Sequence, residues 1–245
     1  MLTRRVLPTI LAVLLLAAAC GGDDGPSAAE DQDAADEAIA ALEERLEDDG
    51  FEPVADDDDD DDDIEFESEE CREFAEAFPE DDEDLPGETA SADSRDYERG
   101  EVDLEGGVEE TVQASVGFVE EEDDLDVVFE LLNDARLPEC LNEAFTGFLE
   151  ESAAEDGGEF EFSDFEAERV DPSGLGDDAG RIALRGGIDV QGFQFGFTFD
   201  IEMVRVGRTA AMVMYGAFGA PEADVDGDQR VALLEELVGS LEDAA

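Results

Sequence analysis

The chain has 245 residues, of which 74 are acidic and 13 are basic, and its formal net charge at pH 7 is −61. A field of this sign repels nucleic-acid phosphates and anionic lipid headgroups, so the composition excludes both as direct binding partners. Hydrophobic residues make up 42% of the chain, which is enough for a folded core. The chain contains no histidine and no lysine, so the commonest general bases are missing and we expect no enzymatic activity.

The N-terminus has the pattern of an export signal. Two arginines near the start are followed by the mostly apolar residues 6–19, a stretch shorter than the about 20 residues that a membrane-spanning helix needs. With the three alanines that precede Cys20, this segment resembles a bacterial lipoprotein signal. The resemblance implies that the signal peptide, residues 1–19, is removed and that the Cys20 thiol carries a lipid such as palmitate. Cleavage after Ala19 by the ordinary secretory route would instead release a secreted protein.

The three cysteines of the chain are Cys20, Cys71 and Cys140. In an oxidising compartment an odd cysteine would be a free thiol, and a lipid on Cys20 removes that surplus. We therefore predict a disulfide bond between Cys71 and Cys140. It would close a loop of about 70 residues, for which chain entropy suggests about 4 kcal/mol of stabilisation. Two separate buried thiols are the alternative.

Composition divides the mature chain into a tether and a domain. Residues 20–35 are predicted to form a disordered acidic tether, followed by one folded domain over 36–245. Apolar spacing predicts a helix over 36–48 that ends just before Gly50, because glycine is favoured directly after a helix. The segment 55–63 contains eight consecutive aspartates, which cannot pack on one another, and it is predicted to be an acidic loop.

The middle of the chain contains three predicted helices and one predicted strand. Ser68 is expected to cap a helix that carries the second cysteine, and the acidic segment 79–100 is expected to be a loop. Apolar residues alternate over 108–118, which predicts a half-buried strand. Two further helices are predicted to begin at Asp124 and Pro138.

The C-terminal third predicts a strand meander and a closing helix. A phase slip in the apolar alternation after Phe162 indicates a β-bulge, and apolar residues then alternate strictly from Phe193 to Met203. Residues 209–218 are apolar on both faces and predict a central strand, and 228–241 predict a helix. The fold is therefore expected to be α+β, with a mainly antiparallel sheet of about five strands flanked by helices.

Two segments of this C-terminal third carry a wider resemblance. They are Arg205-Val206-Gly207-Arg208, directly before a strand, and the closing helix at Leu233–Leu241. With the order of the elements, they resemble extracytoplasmic domains of actinobacterial lipoproteins. More distantly they resemble extracellular sensor domains of mycobacterial serine/threonine kinases and PsbP/Mog1-like folds. The resemblance implies a binding or sensing module and no catalytic residues.

Residues 179–221 differ in charge from the rest of the chain, because four arginines against three acidic residues give them a net charge of +1. The arginines are Arg181, Arg185, Arg205 and Arg208. One hypothesis is that they line a near-neutral face of the sheet that holds a ligand or partner. The alternative is that each arginine pairs with a neighbouring carboxylate.

One acidic segment has the spacing of a weak calcium-site candidate. Asp224, Asp226, Asp228 and Glu235 take positions 1, 3, 5 and 12 of an EF-hand-like count. The glycine required at position 6 is replaced by Gln229, and the segment runs into a predicted helix. We therefore expect a turn with Asp228 as the helix cap, and we expect no metal and no cofactor.

These observations lead to one functional expectation and one competitor. We expect a lipid-anchored, non-enzymatic domain on the extracytoplasmic face of the cell membrane, which binds a small molecule, a cell-wall component or a protein. The competing hypothesis is a structural or accessory lipoprotein without a ligand. In both, the acidic surface is interpreted as an adaptation to high salt. Salt would screen the self-repulsion of a mature chain whose net charge, 11 basic less 74 acidic residues, is −63.

Overall fold

The computed structural model describes residues 28–54, 68–75, 87–102, 107–155, 160–190, 192–221 and 223–244. The helices are α1 (Ala28–Asp48), α2 (Glu69–Ala75), α3 (Asp126–Leu132), α4 (Leu137–Glu155) and α5 (Gly227–Ala244). The strands are β1 (Glu52–Pro53), β2 (Glu88–Asp93), β3 (Tyr97–Gly100), β4 (Val108–Val119), β5 (Phe160–Arg169), β6 (Asp178–Val190), β7 (Phe193–Val206) and β8 (Thr209–Gly219). The predicted signal peptide with Cys20 and the acidic segment 55–63 lie outside the described residues.

The strands form one antiparallel sheet in the order β1-β3-β4-β8-β7-β6-β5. Strands β2 and β3 both pair with the edge of β4 that faces away from β8: β3 pairs with the first half of β4, and β2 pairs with its second half. The α+β class and the antiparallel sheet are confirmed, but the predicted number of about five strands is too low. The sheet has eight strands in the described part of the chain, because the two-residue strand β1 was not predicted and β2 and β3 lie within 79–100, which was predicted to be a loop. Polar residues predominate in both strands, so no apolar alternation marked them.

Helices cover both faces of the sheet. Successive residues of a strand point to opposite faces of the sheet, so a strand with few charged residues contributes apolar side chains to the cores on both faces. On the α1/α5 face the core includes Leu42 and Tyr215. On the α2–α4 face it includes Phe145 and Met203. β8 lies between β4 and β7 and is apolar on both sides, as predicted for a central strand.

Helix α1 begins at Ala28, so residues 28–35 are not part of a disordered tether as predicted. Asp31, in the first turns of the helix, is only 2% exposed. Its carboxylate accepts hydrogen bonds from the guanidinium of Arg208 and, at 2.7 Å, from the hydroxyl of Thr89. The sequence pattern missed these turns because an ion pair, and not an apolar side chain, attaches them to the sheet.

The C-terminus of α1 follows the prediction. Gly50 has a φ of 87° and is the first residue beyond the helix cap. Its N–H donates to the carbonyl of Glu47 at 3.1 Å, and the N–H of Phe51 donates to the carbonyl of Leu46 at 3.0 Å. This is a Schellman motif, in which the positive φ favours glycine.

The structure joins Cys71 of α2 to Cys140 of α4 in a disulfide, the pairing that the cysteine count predicts. Ser68 caps α2 as expected, because its Oγ accepts the N–H of Cys71 at 3.1 Å. The backbone N–H of Ser68 donates to the carboxylate of Glu143 on α4 at 2.5 Å. The short helix α2 is thus attached to α4 by one covalent bond and one charged hydrogen bond.

Two other local predictions have mixed outcomes. The bulge is confirmed, since the pairing of β5 with β6 shifts register between Ser163 and Glu166. The helix expected at Asp124 begins instead with a 3-10 turn over Glu122–Leu125, and α3 follows it. None of the helices that the structure describes is both long and apolar enough to span a membrane.

The ion pair between Asp31 and Arg208 generates a stability prediction. Asp31→Asn should destabilise the fold by about 3 kcal/mol, because it leaves a largely buried guanidinium without its carboxylate. The matched control is Asp33→Asn, which removes the same charge from an exposed position of the same helix. Urea unfolding at high salt measures both, and equal stabilities of the two variants would contradict the prediction.

The pH dependence of the same variant provides a second check. Burial disfavours the Asp31 carboxylate, but the hydrogen bonds from Arg208 and Thr89 outweigh burial and hold its pKa below the ordinary 3.8. A carboxylate with a lowered pKa stabilises the fold above its unfolded pKa, and this contribution disappears as the pH falls through the folded pKa. The difference between wild type and Asp31→Asn should therefore be constant near neutral pH and shrink below about pH 4.

Candidate functional site

Two of the four candidate arginines hold helices to the sheet. Arg208 binds Asp31 of α1 and donates to the carbonyl of Val119 at 3.0 Å. Arg205 donates to the carboxylate of Asp126 at 2.6 Å and to the carbonyl of Glu122 at 2.9 Å. Both arginines flank the β7–β8 turn, and each is engaged with a different helical segment. For these two residues the structure supports the pairing alternative.

The third candidate, Arg181 of β6, belongs to a buried cluster of four charges. It pairs with Asp200 of β7, and Arg230 of α5 pairs with Glu202 of β7. Arg230 also lies 3.5 Å from the Asp200 carboxylate, so the two pairs are continuous. The cluster fills the space between α5 and the sheet, where apolar residues would otherwise pack.

This cluster is deeply buried and electrostatically balanced. Glu202 is 0% exposed, and its second carboxylate oxygen accepts the backbone N–H of Ser173 at 2.6 Å. Burial and the neighbouring charge of Arg181 lower the pKa of Arg230, and the carboxylate of Asp200 opposes that shift. Two buried cations and two buried anions can coexist because each neutralises another.

The sequence pattern did not identify the group formed by Asp200, Glu202 and Arg230. A signal was present, since Arg230 stands on the same helical face as Leu233, Leu234 and Leu237 at helical spacing. A charge on the apolar face of a helix indicates a buried ion pair, but its partners on β7 are known only once the strand register is known.

The fourth candidate, Arg185, lines a cleft on the α1/α5 face of β6 and β7. The cleft has a volume of about 260 Å³. Its lining residues are Arg185, Gly186, Gly196, Phe197, Thr198, Pro221, Ala223 and Asp224. A cation on β6 and an anion on the β8–α5 loop therefore border the same space. The volume is just below the about 300 Å³ of the smaller ligand pockets.

Local interactions bring the walls of the cleft close to each other. The Oγ1 of Thr198 donates to the carbonyl of Ala223 at 3.0 Å, which draws the β8–α5 loop over β7. A Cβ on Gly196 would lie 2.7 Å from the carbonyl oxygen of Pro221, so only glycine permits this approach. Arg185 reaches Glu168 of β5 at 2.6 Å while about half of its side chain stays exposed. It is available to a ligand at the cost of a surface ion pair, which is worth little.

The weak calcium candidate does not assemble. Asp226, and not Asp228, caps α5, because its Oδ1 accepts the N–H groups of Asp228 and Gln229 at 3.0 and 3.1 Å. Asp224 lines the cleft, and Glu235 is exposed two turns along α5. Among the residues described, no group of three acidic or cysteine side chains could hold a metal ion.

Comparisons with known proteins found two weak structural matches, both from Mycobacterium tuberculosis. LpqN, which is involved in cell envelope biogenesis, matches with 10% identity and a TM-score of 0.27, over 58% of this chain and 65% of LpqN, slightly under two thirds. The extracellular domain of PknH matches with 11% identity and a TM-score of 0.25, over 79% of this chain and 100% of that domain. No family model and no curated protein matches the chain. At these TM-scores neither likeness supports a conclusion on fold or activity, and the resemblances stated above stay predictions.

The buried cluster generates a stability prediction. Arg230→Met should destabilise the fold by about 3–5 kcal/mol, because it leaves the Glu202 carboxylate buried without a cation. Thermal or urea unfolding measures the loss. The matched variant, Arg230→Met with Glu202→Met, removes both partners and should recover most of the stability. The prediction is wrong if the single variant is as stable as the double one.

Proposed function

We propose that this protein is a lipid-anchored, non-enzymatic domain on the extracytoplasmic face of the cell membrane that binds a small polar molecule in the cleft at Arg185. The observation that carries the proposal is the meeting of Arg185 and Asp224 in one cleft. The other three candidate arginines are engaged with carboxylates inside the fold. Arg185 and Asp224 are thus the charges of opposite sign that stay accessible to the same ligand.

The chemistry of the cleft favours a ligand with both a negative and a positive group. The guanidinium of Arg185 would bind a carboxylate in a bidentate manner, and the carboxylate of Asp224 would bind an ammonium group. Amino acids and short peptides carry both groups. No nucleophile with an adjacent general base is among the residues that line the cleft, which is consistent with a binding site.

The proposed anchor also bears on how far the cleft lies from the membrane-attached end of the domain. Only seven residues separate Cys20 from the start of α1, and seven extended residues span at most about 25 Å. Asp31 attaches the first turns of α1 to the β7–β8 turn at Arg208. Thr198 lies eight residues before Val206 along β7, so the cleft lies about 25 Å along the strand from the end of the sheet to which the start of α1 is attached. An anchored molecule would therefore present the cleft to the medium.

A structural or accessory lipoprotein without a ligand is the second candidate. It is favoured by the use of Arg205 and Arg208 to hold helices and by the small volume of the cleft. Under this proposal the acidic surface keeps an exported domain hydrated in concentrated salt.

The anchor is tested by metabolic labelling with an alkyne analogue of palmitate in a bacterium that processes lipoproteins. The wild-type chain should be labelled and float with membranes. Cys20→Ala should lose both the label and the membrane association, because the acyl acceptor is gone. A labelled Cys20→Ala chain, or an unlabelled wild type released into the medium, would contradict lipidation at this residue.

The cleft is tested by titrating the mature chain with amino acids and dipeptides, followed by heteronuclear NMR. Binding should shift amides near residues 185, 198 and 224, and Arg185→Gln or Asp224→Asn should weaken it by about tenfold, the effect of losing one charged hydrogen bond. The matched control is Arg95→Gln, an arginine equally exposed and paired with a glutamate far from the cleft. No binding by any member of the panel would favour the accessory role.

A further inference from the structure

Polar side chains form a continuous lane on the α2–α4 face of the sheet, at the margin of the apolar core. In the strand register, Asp93 of β2 lies beside Ser115 of β4, and Ser115 lies beside Met212 of β8. One step along, Gln113 lies beside Met214. We refer to Asp93, Gln113 and Ser115 as the polar lane. It lies on the opposite face of the sheet from the cleft at Arg185.

Two members of the lane have buried oxygen atoms without hydrogen bonds. Ser115 is 4% exposed, and neither its Oγ nor the Oε1 of Gln113 has a hydrogen-bond partner among the residues that the structure describes. Most buried polar groups in folded proteins are paired, because an unpaired one destabilises the fold. Two such groups on neighbouring positions of one strand face can therefore accept hydrogen bonds from a ligand.

Ser94 shows how a serine in this region is normally satisfied. It is 6% exposed and lies directly after Asp93, and its Oγ accepts the N–H of Ala114 at 2.9 Å. The environment thus provides backbone partners to a buried hydroxyl on one face of the sheet. Ser115 has the same side chain and similar burial but no such partner, so burial alone does not explain it.

The charges around the lane restrict the class of ligand. Asp93 keeps part of its surface exposed, while the protein around its carboxyl group raises the pKa to about 6. The nearby arginines, Arg95 and Arg99, pair with Glu43 and Glu110 toward the α1/α5 face. Within the described strands β2, β3, β4 and β8, the α2–α4 face therefore has no cation, which disfavours an anionic ligand.

An apolar strip borders the lane on β8. Met212 is buried, Met214 is half-buried, and the Phe199 ring of β7 lies where a Cβ on Gly216 would be. Methionine side chains change conformation at low energetic cost, so the floor at Ser115 can open to a ligand. A polar row beside a deformable apolar row fits a molecule with hydroxyl groups on its edges and C–H groups on its face.

We propose that the polar lane is a second binding site, for a neutral sugar. Ligand hydroxyls donate to the free oxygens of Ser115, Gln113 and Asp93, and the C–H face of the ring packs on Met214 and Phe199. This site is independent of the proposed ligand of the Arg185 cleft, since the two lie on opposite faces of the sheet.

The experiment uses the mature chain and a panel of glucose, galactose, mannose, N-acetylglucosamine and cellobiose, followed by heteronuclear NMR. At least one sugar should shift the amides of residues 93, 113–115 and 212–214 and leave those around Arg185 unchanged. Ser115→Ala should weaken that binding about tenfold, which corresponds to about 1.4 kcal/mol. Its thermal midpoint should equal or exceed that of the wild type, because the variant removes an unpaired buried hydroxyl.

The matched control is Ser94→Ala, which removes a paired hydroxyl of similar burial one strand away. It should lower the thermal midpoint and leave sugar binding intact. The proposal is overturned if no sugar shifts the lane, or if the shifts occur at the Arg185 cleft. It is also overturned if Ser115→Ala lowers the midpoint as Ser94→Ala does while sugar affinity is unchanged, since that result means that Ser115 has only a structural role.

Discussion

The ion pair between Asp31 and Arg208 is the interaction on which the architecture of the α1/α5 face depends. It joins the first turns of α1 to the β7–β8 turn across 177 residues of sequence. Because α1 also packs against β2, β4 and α5, this contact sets where one whole helix layer begins. In a chain with 74 acidic and 13 basic residues, a guanidinium is the scarce partner, and its position decides which of many carboxylates can be buried.

Three other arginines also connect a helical segment to the sheet. Arg205 holds the 3-10 turn and α3, Arg230 holds α5, and Arg99 holds Glu110 beneath the end of α1. Each lies where a helix meets the sheet, so these cationic side chains connect the helical layers to the sheet. Salt that screens repulsion among surface carboxylates leaves the buried Arg230–Glu202 pair largely intact. A high-salt environment would therefore reduce the repulsion among surface carboxylates without weakening the buried contact between α5 and the sheet.

The two faces of the sheet differ in whether their buried polar groups have partners of opposite charge. On the α1/α5 face the buried charges of Asp200, Glu202 and Arg230 neutralise one another, and Arg185 and Asp224 border the cleft. On the α2–α4 face, buried oxygens of Gln113 and Ser115 are left unpaired beside methionines. In the first arrangement the charges are balanced, although Asp200 Oδ1 and Arg181 Nε also lack a hydrogen bond among the described residues. In the second arrangement no opposite charge compensates for the unpaired oxygens, and the proposed sugar site rests on this difference.

Long apolar alternation was the most reliable guide to the fold. Alternation predicted β4 and β7, helical spacing predicted α5, and a run of residues that is apolar on both faces predicted β8, because burial is set by the pattern within the segment itself. Alternation failed for β2 and β3, whose few buried residues are held by pairing to β4 rather than by their own pattern. Local cap chemistry predicted Ser68 and Gly50, but it assigned the α5 cap to Asp228 where Asp226 serves.

The sequence by itself determined the class of the fold and the cysteine pairing, and it singled out four arginines as candidates, because composition, spacing and residue counts are local or additive properties. Only the tertiary structure decided what each arginine does. Arg181, Arg205 and Arg208 are engaged inside the fold, and Arg185 alone of the four lines a cleft with Asp224. The reason is physical: with almost six acidic residues for every basic one, any carboxylate could be the partner, and only strand register and helix packing bring one of them within hydrogen-bonding distance.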